Sequence, residues 1–313
     1  AIAAAVGFTA TAKADISVSG SSNVAYLSTA GDGSNDEELA VGNTVSFAMS
    51  TTTSGGIGIS SSLALSTDYD NNNSQTVDGG NSVTFTTGGA TIVVGDVEIS
   101  DTIGSVGGVV NGPLDDASDL DSSVGTGFVD DDGTGVELTT AMGAASLNIS
   151  YVSNDDTDNF GPLNSSGTGD DSAMSASITM PFGAYSATIG VADSDTGESS
   201  SGASVSGTIG GGTVTVGYSN VTTITANADI TTAGDSEVIG ATYVMAMDAD
   251  TTISVGYQSA KDADSESHTR TDLSVERALG GGATVYLDLR NLTGDTAANM
   301  DGTAIAFGTS VAF

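Results

Sequence analysis

The chain has 313 residues, with no cysteine, no tryptophan and three prolines. It carries five lysines and arginines against forty aspartates and glutamates, a formal net charge of −35. Without cysteine no disulfide is available, so any fold must be stable without one. With so few bases, nucleic acid is excluded as a natural partner, because phosphate binding needs Lys and Arg. Polybasic docking on anionic lipid is disfavoured for the same reason. No run of ~18 consecutive apolar residues exists, so no transmembrane helix is expected. A transmembrane β-barrel crosses with ~10-residue alternating segments and is not excluded. The hydrophobic share is 38 %, below the usual ~45–50 %. By composition alone the chain resembles a disordered segment or an acidic surface coat. Mean hydropathy is nevertheless +0.08, because most polar residues are Ser, Thr and Gly rather than charges.

The few bases are unevenly placed. Lys13 is the only one before Lys261, and the rest are Arg270, Arg277 and Arg290. Any site that needs a cation must therefore draw on the last fifth of the chain. Acids in place of Lys also suit high salt, where self-repulsion is screened.

Residues 1–14 are apolar and small and end in Ala12-Lys13-Ala14, which reads as a residual signal peptide with an A-x-A cleavage site. The mature chain is then a single domain over 15–313. From Asp15 onward the apolar period is two. Val41, Val45, Phe47 and Met49 alternate with small polar residues, as do Tyr185, Ala187, Ile189 and Val191. No helical stripe of useful length appears, so the fold class is all-β. Sixteen strands are expected, at 15–27, 39–52, 56–68, 80–87, 90–98, 132–141, 143–153, 172–181, 183–194, 200–209, 212–223, 236–247, 250–260, 268–278, 282–292 and 303–313. Short Gly-rich turns alternate with long Asp/Asn/Ser loops, the pattern of a membrane barrel with one short-turn rim. The longest connection is 99–131, and structureless loops beyond ~15 residues are usually functional. The apolar residues suit a thin lipid-facing skin, and the polar face lacks bulk to fill a core. Sixteen closed strands leave an aqueous channel and no exposed edge.

The chain closes on an alternating strand, Ala304-Ile305-Ala306-Phe307-Gly308-Thr309-Ser310-Val311-Ala312-Phe313, preceded by a Gly280-Gly281-Gly282 turn. Here it resembles the Gram-negative porins, particularly the alphaproteobacterial general porins. The resemblance implies a 16-stranded antiparallel transmembrane β-barrel in the cell outer membrane, with a long third external loop folded into the pore. It implies a homotrimer, contact with outer-membrane lipid and lipopolysaccharide, and passive diffusion of small hydrophilic solutes and ions. It also implies that Phe313 is the signal read by the assembly machinery. The chain departs from the family in its scarcity of wall bases and of aromatics for two girdles.

The resemblance places the pore constriction on loop 99–131, with Asp101, Asp115, Asp116, Asp119 and Asp121. Parity on the wall makes Leu273, Val275, Leu287 and Leu289 lipid-facing. Arg270 and Arg290 then face the lumen, as do Asp272 and Asp288. Local salt bridges, Arg270 with Asp272 or Arg290 with Asp288, are the alternative role for these arginines. Acids outnumber lumenal bases, and acid rings favour cations, so a cation-preferring channel is expected. Asp130, Asp131 and Asp132 offer oxygens for Ca²⁺ but lack the EF-hand spacing, and solvated loops are the preferred reading. No other cofactor is expected. An enzyme is not expected either. The one histidine, His268, reads as a surface residue, and no G-x-S-x-G stands on a strand–turn–helix. The alternative function is a secreted, Ca²⁺-binding S-layer or adhesin-like β-protein.

Overall fold

The computed structural model describes residues 15–31, 34–67, 75–79, 82–99, 104, 106, 108–110, 114, 132–154, 171–195, 197–223, 234–261, 267–294 and 302–313. The strands are β1 Asp15–Gly31, β2 Ser34–Thr52, β3 Gly58–Thr67, β4 Gln75–Gly79, β5 Ser82–Thr87, β6 Ala90–Glu98, β7 Asp132–Met142, β8 Ala145–Asn154 and β9 Asp171–Phe182. They continue as β10 Tyr185–Ser194, β11 Ser199–Ile209, β12 Gly212–Thr223, β13 Gly234–Ala246, β14 Thr251–Lys261, β15 Ser267–Gly280, β16 Ala283–Gly294 and β17 Gly302–Ala312. Every pairing is antiparallel, and β17 returns to β1, which closes the sheet. β4 and β5 both pair with β3, one above the other. They share one wall position, so seventeen segments make a sixteen-strand barrel.

The alternation in the sequence is what lets the sheet close. Exposed apolar side chains such as Ile149, Tyr151, Val216 and Tyr218 stand on the outer face. Ser150, Ser219, Arg270, Asp272 and Asp288 occupy the opposite parity and are buried. Each strand thus presents an apolar skin outward and small or polar groups inward. At one rim the turns are tight. Gly210 and Gly211 both hold positive φ, as a two-residue hairpin turn demands. Phe182 and Tyr185 stack across their turn with ring centroids 5.9 Å apart, a local aromatic patch at that rim.

The closing seam is specific. The Phe313 N–H donates to Gly20 O at 2.9 Å, and the Gly20 N–H to Phe313 O at 2.8 Å. A Cβ at Gly20 would meet the Phe313 ring. One strand over, the Tyr286 ring lies across Gly308, where a Cβ would collide with it, and its hydroxyl donates to Asn23 Oδ1 at 2.8 Å. Two glycines therefore let two aromatics bridge β16, β17 and β1.

The expected strands agree with these elements except in two places. The expected loop 28–38 is mostly strand, because Leu27 to Gly31 pair with Glu38 back to Ser34. Its acids read as loop by composition, yet a hairpin rising into water tolerates them. The fourth wall strand begins at Gln75, not near residue 80. The inner face is also less uniformly polar than expected. Val152, Val221 and Val238 are buried on it.

Candidate functional site: the inner wall of the barrel

The inner wall of β15 and β16 carries a compact charged group. Arg270 is 2 % exposed, Asp272 1 % and Arg290 3 %. Register explains it: Asp272 stands directly opposite Arg290, and Arg270 lies one inward step along the same strand. Arg290 Nε donates to Asp272 Oδ1 at 3.0 Å and Nη2 to Oδ2 at 3.4 Å. Arg270 Nε lies 3.3 Å from Asp272 Oδ2. One carboxylate therefore holds two guanidiniums. The expected Arg270–Asp272 bridge is present. Among the described acids, Arg290 bonds Asp272, across the hairpin, where Asp288 had been considered.

The described residues of segment 99–131 lie against this same wall. Ile99 is buried with Val152, Ala173, Ala192 and Val221 of β8 to β12. Gly104 abuts the backbone of Ala203 and Tyr218. Val106 sits over Gly217 and Gly240, and Val109 over Gly256. A Cβ on Gly108 would lie 2.8 Å from Arg290 Nη2 and 2.9 Å from Asp272 Oδ2. Leu114 O accepts from Arg290 Nη1 at 2.6 Å. Leu114 and Val110 are buried with Tyr286, Ala306 and Ala25.

Of the expected constriction residues, Arg270 and Arg290 are thus on the inner wall. Asp101, Asp115, Asp116, Asp119 and Asp121 lie outside the described residues, as do Asp130, Asp131 and the expected signal segment 1–14. Asp132 opens β7, paired with Glu98. Among the described residues no group of three or more His, Cys, Asp or Glu is placed to hold a metal. His268 has the lumen parity that alternation gives it, but its expected exposure is corrected: the side chain is 2 % exposed. Its ring occupies the space that Gly294 leaves open.

Two features escaped the sequence reading. On β7, Glu137 accepts from Asn148 Nδ2 at 2.9 Å and Thr139 Oγ1 at 3.2 Å. β7 lies eight wall positions from β15, so this acid faces the arginine cluster across the barrel. The second is the glycine series Gly217, Gly240 and Gly256 under the loop. Gly217 and Gly240 are register partners, a signal visible only once pairing is known. At the short-turn rim, Asp248 is held below the ordinary aspartate range. The Asp250 N–H is the main cause, then the Thr251 hydroxyl, with Arg277 contributing. Arg277 is exposed there and donates to Thr251 Oγ1 at 2.7 Å.

A family model described as Gram-negative porin matches residues 1–297. No curated protein matches the chain. Among solved structures, the Salmonella typhi OmpF complex with daunomycin aligns at TM-score 0.71 and 13 % identity, covering 95 % of this chain and 97 % of that one. An anion-selective porin from Comamonas acidovorans aligns at TM-score 0.68 and 13 % identity, over 96 % and 100 %. OmpT of Vibrio cholerae in its trimer form gives 0.68 and 12 %, over 96 % and 99 %. At these identities the likeness is one of fold.

Proposed function

Because the chain belongs to the Gram-negative porins, we propose that it assembles as a trimeric, cation-preferring channel for passive diffusion of small hydrophilic solutes and ions. It is an outer-membrane β-barrel, and an exposed apolar face on a closed wall is what such a barrel presents to lipid. A secreted coat protein has no use for that face. Passage through the barrel involves no chemical step and no cofactor. We read the connection 99–131 as the element that narrows the lumen, a reading supported by the contacts of its described residues with Gly217, Gly240, Gly256 and Arg290.

The observation that carries the cation preference is the pairing of both lumenal arginines with Asp272, together with the absence of any Lys or Arg from 15 to 260. Fold does not set the sign of selectivity, since the Comamonas porin of the same fold is described as anion-selective. Charge does. Trimer assembly is supported by the trimer form of the Vibrio neighbour. The outward apolar rows contact lipid and, in the outer leaflet, lipopolysaccharide. The test is reconstitution. Purified protein should give discrete conductance steps in planar bilayers and should swell vesicles in small sugars with a size cut-off. Silent bilayers would overturn the channel reading.

A further inference from the structure

Glu137 is an isolated charge on a neutral stretch of wall. Val136 beside it is exposed on the outer face, so Glu137 has the inward parity of β7, and it is half-buried. Its register neighbours are Val93 on β6 and Ser150 on β8. Beyond Ser150 the inward positions of β8 from Ser146 to Val152, of β9 from Ala173 to Pro181 and of β10 to β14 carry no charged side chain. Hydroxyls stand there instead. Thr179 and Thr188 share a hydrogen bond of 2.8 Å, and Thr215 donates to Ser206 at 3.0 Å. No base on this sweep of wall cancels the field of the Glu137 carboxylate.

The carboxylate is oriented. Its Oε1 accepts from Asn148 Nδ2 at 2.9 Å and from Thr139 Oγ1 at 3.2 Å. The same amide donates to Thr139 Oγ1 at 3.0 Å, and Ser150 Oγ donates to Asn148 Oδ1 at 3.4 Å. Among the described residues no donor reaches Oε2. A second observation lies on the same row of the wall. Ser175 stands opposite Ser150, is 3 % exposed, and its Oγ has no hydrogen-bond partner. An unpaired buried hydroxyl is costly, so a ligand that supplies its missing contact is favoured.

We propose that Glu137, with the Ser150 and Ser175 hydroxyls on its row, is a binding point for a monovalent cation crossing the lumen. This deepens the cation preference proposed above and rests on that reading. One carboxylate among neutral oxygens suits a singly charged ion. Calcium gathers about six to eight oxygens, several of them from carboxylates, and among the described residues no group of three or more acids or histidines is placed to supply them. A weak site is also what conduction needs, since the ion must leave as readily as it enters.

The experiment measures the reversal potential in a potassium chloride gradient, and single-channel conductance from low to high salt, for the full chain and its variants. Glu137→Gln keeps an acceptor for Asn148 and Thr139 and removes only the charge. It should lower the potassium-to-chloride permeability ratio roughly three-fold, the scale of a unit charge acting across a few ångströms of water. Its conductance should fall at low salt and meet the unaltered value at about 1 M, where screening reaches ~3 Å. Glu137→Asp keeps the charge and should hold the ratio near the unaltered value. Asp193→Asn removes an acid of outward parity, on the face that carries exposed Val191, and should leave both readouts unchanged. An unchanged ratio in Glu137→Gln, an equal fall in Asp193→Asn, or a fall in Glu137→Asp as large as in Glu137→Gln would each overturn the proposal. An unaltered protein that fails to conduct, or that prefers chloride, would instead defeat the channel reading itself.

Discussion

Asp272→Asn tests the charged group most sharply. The substitution keeps shape and removes one charge. In the native wall the carboxylate serves two guanidiniums, each no more than 3 % exposed, through contacts of 3.0, 3.3 and 3.4 Å. An amide retains one acceptor oxygen, enough for one arginine. The other loses its bond to the shared carboxylate, and the buried group as a whole loses one negative charge. Removing one partner of a buried pair costs about 3–5 kcal/mol. A Coulomb estimate at 4 Å with an effective dielectric near 20 gives about 4 kcal/mol, which is consistent. The assay is urea unfolding of the protein folded in lipid vesicles, followed by far-ultraviolet circular dichroism and by the shift of the folded band on gels. Tryptophan fluorescence is ruled out by composition. The midpoint should fall with an unchanged slope. Replacing all three charged residues with apolar ones of similar size should be near neutral, because the desolvation penalty leaves with the charges. A loss under about 0.5 kcal/mol for Asp272→Asn, the size of an ordinary surface substitution, would refute the reasoning.

Other outcomes follow from the same structure. Tyr286→Phe removes the bond to Asn23 across the closing strand, and should cost about 0.5–1.5 kcal/mol in the same unfolding assay. Deleting Phe313 removes the backbone exchange with Gly20, and should lower the yield of heat-modifiable barrel. Gly20→Val, which collides with the Phe313 ring, should do the same. Asp248 has a depressed value when folded, so its contribution is present above the unfolded pKa of about 3.9 and is lost as pH falls through the folded value. A carboxyl titration by NMR should place its midpoint below that of a peptide aspartate. In Asp248→Ala the corresponding part of the stability–pH slope should vanish.

Much of the barrel was legible because alternation is a strong constraint. Leu273 and Val275 point out, so Arg270 and Asp272 must point in, and the same holds for Leu287, Leu289 and Arg290. Pairing was less legible. Matching the outward leucines restricts the register but leaves neighbouring choices that differ by two residues. The irregularity between Ala278 and Gly280 selects the one that sets Asp272 against Arg290. The partner of Arg290 was hidden for that reason. Acid-rich 34–38 read as loop, since composition does not distinguish a loop from a hairpin that stands in water. The glycine series beneath Val106 and Val109 was hidden too. Gly217, Gly240 and Gly256 look like three of forty-three glycines until the strands pair and the loop is laid over them. The burial of His268 was hidden for a similar reason: it comes from packing against Gly294 of the neighbouring strand, which no local pattern encodes.

The central claim is the proposed cation preference of a channel whose chain carries forty acids and five bases. The measurement that tests it most directly is the reversal potential of the purified protein in a planar bilayer under a potassium chloride gradient. The account predicts a sign showing that cations cross more readily than anions, weakening as salt rises and screens the wall. A reversal potential of the opposite sign would contradict it.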